Sequence, residues 1–560
     1  MYQFMFYWYV CGQSNFINIF IQNIYSLKIL LLLLSILFLI DPNLNAQPNI
    51  TDSIYVQEKI CHANEVSFAD LVVTSTGSAF GLRAIVETVN FTTDYKLYKM
   101  NSQFDTLWHV RYGGSQDDYI RSIDVLSDGN LLLVGETNSI DGTLQGVGHA
   151  GVANELWVMI VDTTGTILHQ YATGGNGSTV PYAVQIAATG DIYIGGSTMA
   201  DNNDFMHTIG GGLDCFLAKL SSTLQKKWIK CWYGNDVDLI QGVDGGLTAN
   251  ELVLSIGTFS TDSLLGSNGS KGSADGLLMV IDTAGNELWS RRYGGSSGDQ
   301  LNKTFTDTVN KVYYSVGTLL SIDGDITYKT GDSLWNDYDG NIWVTKVDSL
   351  GNVLYSKGYG TRHDSTNNNL NNDLNYKDAI FYNNDIYVLT YTYGGGGDLP
   401  YNYDGLAYDT WIAKIDTQCN LRGKMLIGTL KDDYPNCFFY KDKMPYIHGY
   451  SGNPANSLPN WFSCDTAANF RYVLGISDAP LNLPNPPEEE TETLIVYPNP
   501  TNSKLLIKTV LEYNMSEKRL YDSVGNLRIS TKSNAIDVSG LPRGVYYLKC
   551  GDLTRKVVLN

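Results

Sequence analysis

The chain has 560 residues, 38 of them basic and 58 acidic, for a formal net charge of -20. An acidic excess of that size, with no basic cluster to offset it, repels phosphate backbones and argues against a nucleic-acid partner. The length suffices for a large buried core.

Residues 1–46 read as an export signal. Lys28 precedes an apolar run of 12 residues, 29–40, and Leu44-Asn45-Ala46 offers a small residue for cleavage between Ala46 and Gln47. A helix needs about 20 residues to cross a bilayer, so the run is too short to span one, and no transmembrane segment is expected in the mature chain. Residues 47–61 read as a short lead.

From residue 62 to 478 a two-part phrase returns seven times at a spacing near sixty residues. Its first part is an apolar run ending in Gly-x-Thr or Gly-Thr: LLLVGET at 131–137, IYIGGST at 192–198, LVLSIGT at 252–258 and VYYSVGT at 312–318, with weaker copies at 386–392 and 446–451. Its second part joins two alternating runs through Asp-x-x-Gly-Asn, as in LLMVIDTAGNELWSRRYGG at 277–295. Tyr112, Tyr171, Tyr233, Tyr293 and Tyr359 keep the period, 59, 62, 60 and 66 residues apart. Short alternating runs that end at Gly, Asp or Asn are strands, and four of them per sixty residues make one antiparallel sheet. The period therefore predicts an all-β chain with a seven-bladed β-propeller. The seventh copy is split. WFSCDTAAN at 461–469 supplies its first half and residues 68–88 are expected to supply the second, so that both termini close the last blade and leave no free edge.

Few side chains in these repeats suggest chemistry. The seven histidines are scattered singly, and no zinc spacing, nucleophile elbow or phosphate loop occurs. Asp162, Asp282 and Asp348 fall at hairpin turns, where a carboxylate accepts backbone amides. The Tyr-Gly-Gly segments at 112–114 and 293–295 read as corners between sheets. Acidic loops at 139–143, 321–327 and 336–341 are the candidate metal site, with Asp323, Asp325, Asp337 and Asp339 as oxygen ligands for calcium, although none has the EF-hand spacing. The aromatic stretch 391–411 could offer stacking surfaces to a sugar or peptide. Six cysteines lie outside the signal and the last domain. Of these, Cys215 and Cys231 flank one hairpin turn and are expected to form a disulfide.

Prolines and acids at 479–492 mark a solvated linker. The final segment, 493–560, carries three motifs in order: Tyr497-Pro498-Asn499-Pro500, Tyr521-Asp522-Ser523-Val524-Gly525 and Leu541-Pro542-Arg543-Gly544-Val545-Tyr546. On these motifs it resembles the type A C-terminal sorting domain of the type IX secretion system of Bacteroidetes. The resemblance implies Sec export, then passage of the outer membrane by the type IX machinery, which reads this domain, and a final location that is secreted or on the cell surface. Read from the residues alone, Pro498 and Pro500 suit the opening of a first strand, Gly525 a tight hairpin and Gly544 a turn after proline. Alternation predicts a small antiparallel β-sandwich. The repeats resemble secreted Bacteroidetes proteins that carry this tail, which implies architecture more than activity.

Three functions are compatible with such a chain. It is expected to be a surface binding or scaffold module for a glycan or protein. The alternatives are an extracellular polysaccharide hydrolase or lyase, with carboxylates about 5 to 9.5 Å apart on the axial face, and a purely structural surface protein.

Overall fold

The computed structural model describes residues 55–63, 68–86, 92–148, 151–205, 212–261, 269–329, 341–360, 374–392, 398, 407–427, 432–451, 470–477, 494–497, 504–509, 517–522, 526–550 and 553–559. Of the segments read from the sequence, the signal with Ala46 and Gln47, the linker, residues 461–469, and Asp337 and Asp339 lie outside them. The chain divides into two units between Ala479 and Pro480. Among the described residues no helix is long and apolar enough to cross a membrane.

The first unit is a β-propeller, with seven sheets among its described residues, antiparallel except where the short strand Tyr328–Lys329 pairs parallel with Val353–Tyr359. The second sheet shows the pattern: Asp118–Val125, Leu131–Thr137, Glu155–Val161 and Ile167–Thr173 pair in chain order. Its two middle strands are buried at every residue because neighbouring sheets cover both of their faces. Val134 and Val158, for example, share a core cluster with Ile194 and Phe216 of the next sheet. The inner strands are Asp70–Val73, Asp118–Val125, Thr179–Ile186, Asp238–Gly245, Asp299–Asp307, Leu374–Tyr382 and Asp433–Lys441. Each touches the next, and the last touches the first, so they enclose an axis.

The last sheet closes the cycle with a strand other than the one the repeats suggest. Asp433–Lys441, Met444–Ser451 and Phe470–Ser477 are completed by Tyr55–Ala63, which pairs antiparallel with Phe470–Ser477 and sets Cys61 opposite Tyr472. Residues 68–88 instead hold Asp70–Val73 and Ala79–Val86, which open the first sheet. The expected boundary between a lead ending at 61 and a propeller starting at 62 therefore falls inside the closing strand. That strand is recruited by backbone pairing and carries no Gly-x-Thr phrase, so its sequence gives no repeat signal.

Six inner strands carry a β-bulge, whose extra residues are Arg121, Tyr182, Gln241, Asn302, Lys377 and Asn436. Opposite the residue before the bulge the partner strand often places a glycine: Gly135 faces Ile120, Gly196 faces Pro181 and Gly317 faces Leu301. A Cβ on Gly135 would lie 1.8 Å from the Tyr119 carbonyl oxygen, and one on Gly317 1.8 Å from that of Gln300. The bulge swings a carbonyl into the space a side chain would need, which is why these three positions of the phrase hold glycine.

Turns of the Asp-x-x-Gly-Asn kind tie a sheet to the one before. Asp282 Oδ1 accepts the amides of Ala284 and Asn286 at 2.9 and 2.8 Å, and Gly285 takes a φ of +80°. Lys219 Nζ then donates to the Thr283 carbonyl at 2.9 Å and Lys230 Nζ to that of Gly285 at 2.8 Å, both from the preceding sheet. On the following turn, Tyr293 Oη and Arg291 Nη1 both donate to the Gly351 carbonyl, at 2.8 and 2.9 Å. Tyr112 Oη reaches the Gly165 carbonyl in the same way at 2.7 Å.

The second unit packs two antiparallel sheets into a small sandwich. One has Leu494–Tyr497, Lys504–Thr509 and Ala535–Asp537; the other runs Leu527–Thr531, Lys518–Asp522, Gly544–Cys550, Leu553–Leu559. Leu505 and Ile536 of the first meet Leu520, Leu548 and Val557 of the second in one core.

Candidate functional site

The bulges decide what the inner strands present. Just after each one comes Ser122, Ala183, Gly242, Lys303, Asp378 or Cys437, and Asp70 of the first sheet adjoins this row. Lys303 Nζ bonds Asp378 Oδ1 at 2.8 Å. Asp378 Oδ2 accepts the Phe438 amide at 2.9 Å, and Asp70 Oδ2 accepts the Ile123 amide at 3.0 Å and the Ser122 hydroxyl at 3.2 Å. Carboxylates do converge at the axis, but these two stitch one inner strand to the next. Burial pushes the Asp70 carboxyl up to about 6 against the pull of its amide donors, and pushes the Cys437 thiol well above its usual range. Burial works against the Lys303 ammonium, yet Asp378, with Asp244 and Asp70, holds its pKa above the ordinary lysine value.

A second axial patch joins two adjacent bulges. Arg121 makes a two-pronged ion pair with Glu136, its Nε and Nη2 each on one carboxylate oxygen. Glu136 is 1% exposed while Arg121 is 43% exposed, so the acid anchors the guanidinium from below. Its carbon centre stands 5.9 Å from the ring centroid of Tyr182, itself 41% exposed. A planar cation and an aromatic ring therefore stand side by side at the axis, suited to stack on a planar or apolar ligand face.

At the sheet ends, the acidic loops hold the Tyr-Gly-Gly corners. Asp323 Oδ1 accepts the Ser296 amide at 2.7 Å, Asp325 Oδ2 accepts the Gly294 amide at 3.2 Å and pairs with Lys271, and Asp141 Oδ1 accepts the Ser115 amide at 2.8 Å. An open groove of about 810 Å³ lies over the first of these corners, lined by Arg111, Gly113, Ser115, Asp141, Thr143 and Ile167. Among the described residues no group of three or more His, Cys, Asp or Glu side chains is placed to hold a metal ion. Of the aromatic stretch 391–411, Tyr391 and Tyr408 pack with Tyr434 at centroid distances of 5.2 to 5.6 Å; residues 393–397 and 399–406 lie outside the described set.

The expected bridge between Cys215 and Cys231 is not formed. Cys215 stands opposite Trp232 and Cys231 opposite Phe216. An offset of one residue turns the two side chains to opposite faces of the sheet, and both thiols are free.

In the second unit the sorting motifs fall at strand ends. Among the described residues one strand ends at Tyr497 and another begins at Lys504. Pro498, Asn499, Pro500 and Gly525 are outside the described set. Tyr546, 5% exposed, donates its Oη to the Pro542 carbonyl at 2.7 Å, Leu541 packs against the core, and Gly544 takes a φ of +151°. The Leu-Pro-x-Gly-x-Tyr element thus closes on itself, and its glycine occupies backbone space that side chains disfavour.

The sequence named neither Arg121 nor Tyr182 as a site residue. Bulge residues break the two-residue period by which strands are recognised. The available signal was the glycine across from them.

Residues 495–559 match the family described as "Secretion system C-terminal sorting domain". The chain therefore carries a type IX export address, which sends it to the cell surface or outside. No curated protein matches its sequence. Solved structures resemble it at low identity. The β-propeller domain of the Trilobed protease from Pyrococcus furiosus has 6% identity and a TM-score of 0.39, over 76% of this chain and 99% of that one. A member of the DUF4221 family from Bacteroides vulgatus has 9% identity and a TM-score of 0.33, over 77% and 99%. The periplasmic gluconolactonase of Pseudomonas aeruginosa has 9% identity and a TM-score of 0.39, over 70% and 99%.

Proposed function

We infer that this exported β-propeller, its seven sheets taken as seven blades, is a binding module for an extracellular glycan or protein and receives that ligand at its axis. The observation that carries the reading is the contrast between repeated and unrepeated residues. Tyrosines, lysines and turn aspartates recur from sheet to sheet and are engaged in holding sheets together. The bulge residues Arg121, Tyr182, Gln241, Asn302, Lys377 and Asn436 are polar or aromatic, and neighbours in the ring differ from one another. A ring needs no such variety for its stability, whereas an asymmetric ligand does. Asp70 and Asp378 already accept main-chain amides, which favours binding over polysaccharide cleavage as their setting.

The test is a glycan array probed with the exported chain, with and without calcium, because Asp323, Asp325, Asp337 and Asp339 are the proposed calcium ligands. Tyr182→Ala is expected to weaken binding by about tenfold or more, as for a central aromatic anchor. Binding untouched by Tyr182→Ala and Lys377→Ala would remove the axis as the site. A silent array would leave a protein ligand as the target of the search.

A further inference from the structure

The C-terminal unit reverses the charge balance of the chain. Residues 493–560 contain ten Lys and Arg against five Asp and Glu, in a chain of net charge -20. Part of that excess lies on one surface. In the four-stranded sheet Leu520, Tyr546, Leu548 and Val557 point into the core, and the residues between them form the opposite face. The register sets Arg519 directly opposite Lys549, Tyr521 opposite both Tyr547 and Leu527, and Tyr547 opposite Lys556. Leu527 is 50% and Tyr547 42% exposed, and Arg519, Lys549 and Lys556 are exposed as well.

Such a face is costly in isolation. Like charges opposed across strands destabilise a sheet, as Arg519 and Lys549 are here, and Glu517 meets Arg519 at 3.0 Å. Tyrosine and arginine around an exposed apolar centre are the composition of binding hot spots, and cations on both sides of that centre select and orient an acidic partner.

We propose that this outward face, centred on Tyr547 and flanked by Arg519, Lys549 and Lys556, is the surface by which the export apparatus reads the module, and that the apparatus offers it an acidic protein surface. The proposal rests on the export reading and adds the face and its chemistry. An address must display its recognition groups outside its core. The opposite face of this sheet is occupied by packing.

The test uses the full chain in a type IX-competent bacterium and measures the fraction that reaches the outside of the outer membrane. Tyr547→Ser and Lys549→Glu are each expected to lower that fraction about tenfold. Lys504→Glu, a matched charge reversal on the other sheet, is expected to leave it unchanged; an equal loss there would mean that net charge alone is read and would overturn the proposal. Deleting residues 493–560 tests the export reading separately. If the truncated chain is exported as well as the full one, that reading falls. If truncation blocks export and both face variants pass, only the face assignment falls. Should a face variant melt early, a photo-crosslinking phenylalanine analogue placed at Tyr547 in the otherwise unaltered chain decides. An adduct to a protein of the export apparatus supports the proposal, and an adduct to lipid or within the same chain overturns it.

Discussion

The phenol of Tyr359 donates to the carbonyl of Cys419 at 2.7 Å, crossing from the fifth sheet to the sixth and sixty residues along the chain. Tyr112 and Tyr293 make the same bond one repeat on. At Tyr112, Tyr293 and Tyr359 the tyrosine period is therefore a record of a latch between sheets, with the ring buried and the hydroxyl placed on a turn.

Tyr359→Phe keeps the buried ring and removes only the donor. The Cys419 carbonyl then loses this partner, at a cost of about 1–3 kcal/mol. The denaturant midpoint should fall with the slope unchanged, and no change in midpoint would show that the bond contributes nothing net.

The pH dependence of stability follows from two opposed sets of carboxyls. Burial pushes Asp70, Asp94, Asp238 and Asp244 up to about 6 from an ordinary value of 3.8. Their protonation therefore favours the folded state, fully below the ordinary value, and the benefit is lost as pH rises through 6. Hydrogen bonds hold the turn carboxylates Asp162 and Asp282 below the usual range, and their contribution is lost as pH falls. The melting temperature should peak at about pH 4, where the turn carboxylates are ionised and the buried set is still protonated, and fall as pH rises towards 7. A steady rise from pH 5 to 8 would contradict the assignment of the buried set.

Gly135→Ala and Gly317→Ala force a Cβ to within 1.8 Å of a backbone oxygen and should destabilise by about 3 kcal/mol or prevent folding. Gly245→Ala, where a Cβ meets nothing within 4 Å, is the comparison and should be close to neutral. Equal effects at the three positions would refute the bulge explanation of Gly135 and Gly317.

How much of this was legible in the sequence depended on how locally each feature is encoded. The strands, the Asp282-type turns and the order of motifs in the C-terminal module are local, and patterns of two to six residues reveal them. The closing strand Tyr55–Ala63 is specified by a partner more than 400 residues away, Phe470–Ser477, and nothing in its own spelling announces that. The Cys215–Cys231 expectation failed for a related reason. Proximity along a hairpin is readable, but which face each thiol occupies depends on a register shift of one residue. The axial pair of Arg121 and Tyr182 was hidden because both residues are extra to the strand period.

Thiol labelling tests the register directly. In the denatured, unreduced chain Cys215 and Cys231 should both react, and a mass lower by two hydrogens with both blocked would contradict the offset pairing.

The bulges also separate two kinds of inheritance in one ring. A residue inserted between paired positions can be exchanged without moving any hydrogen bond of the ladder, provided that a glycine opposite leaves room for the displaced carbonyl. The scaffold and the surface it displays can then diverge at different speeds. Proteins built on this repeat can keep identical tyrosine latches while their axes come to recognise unrelated ligands.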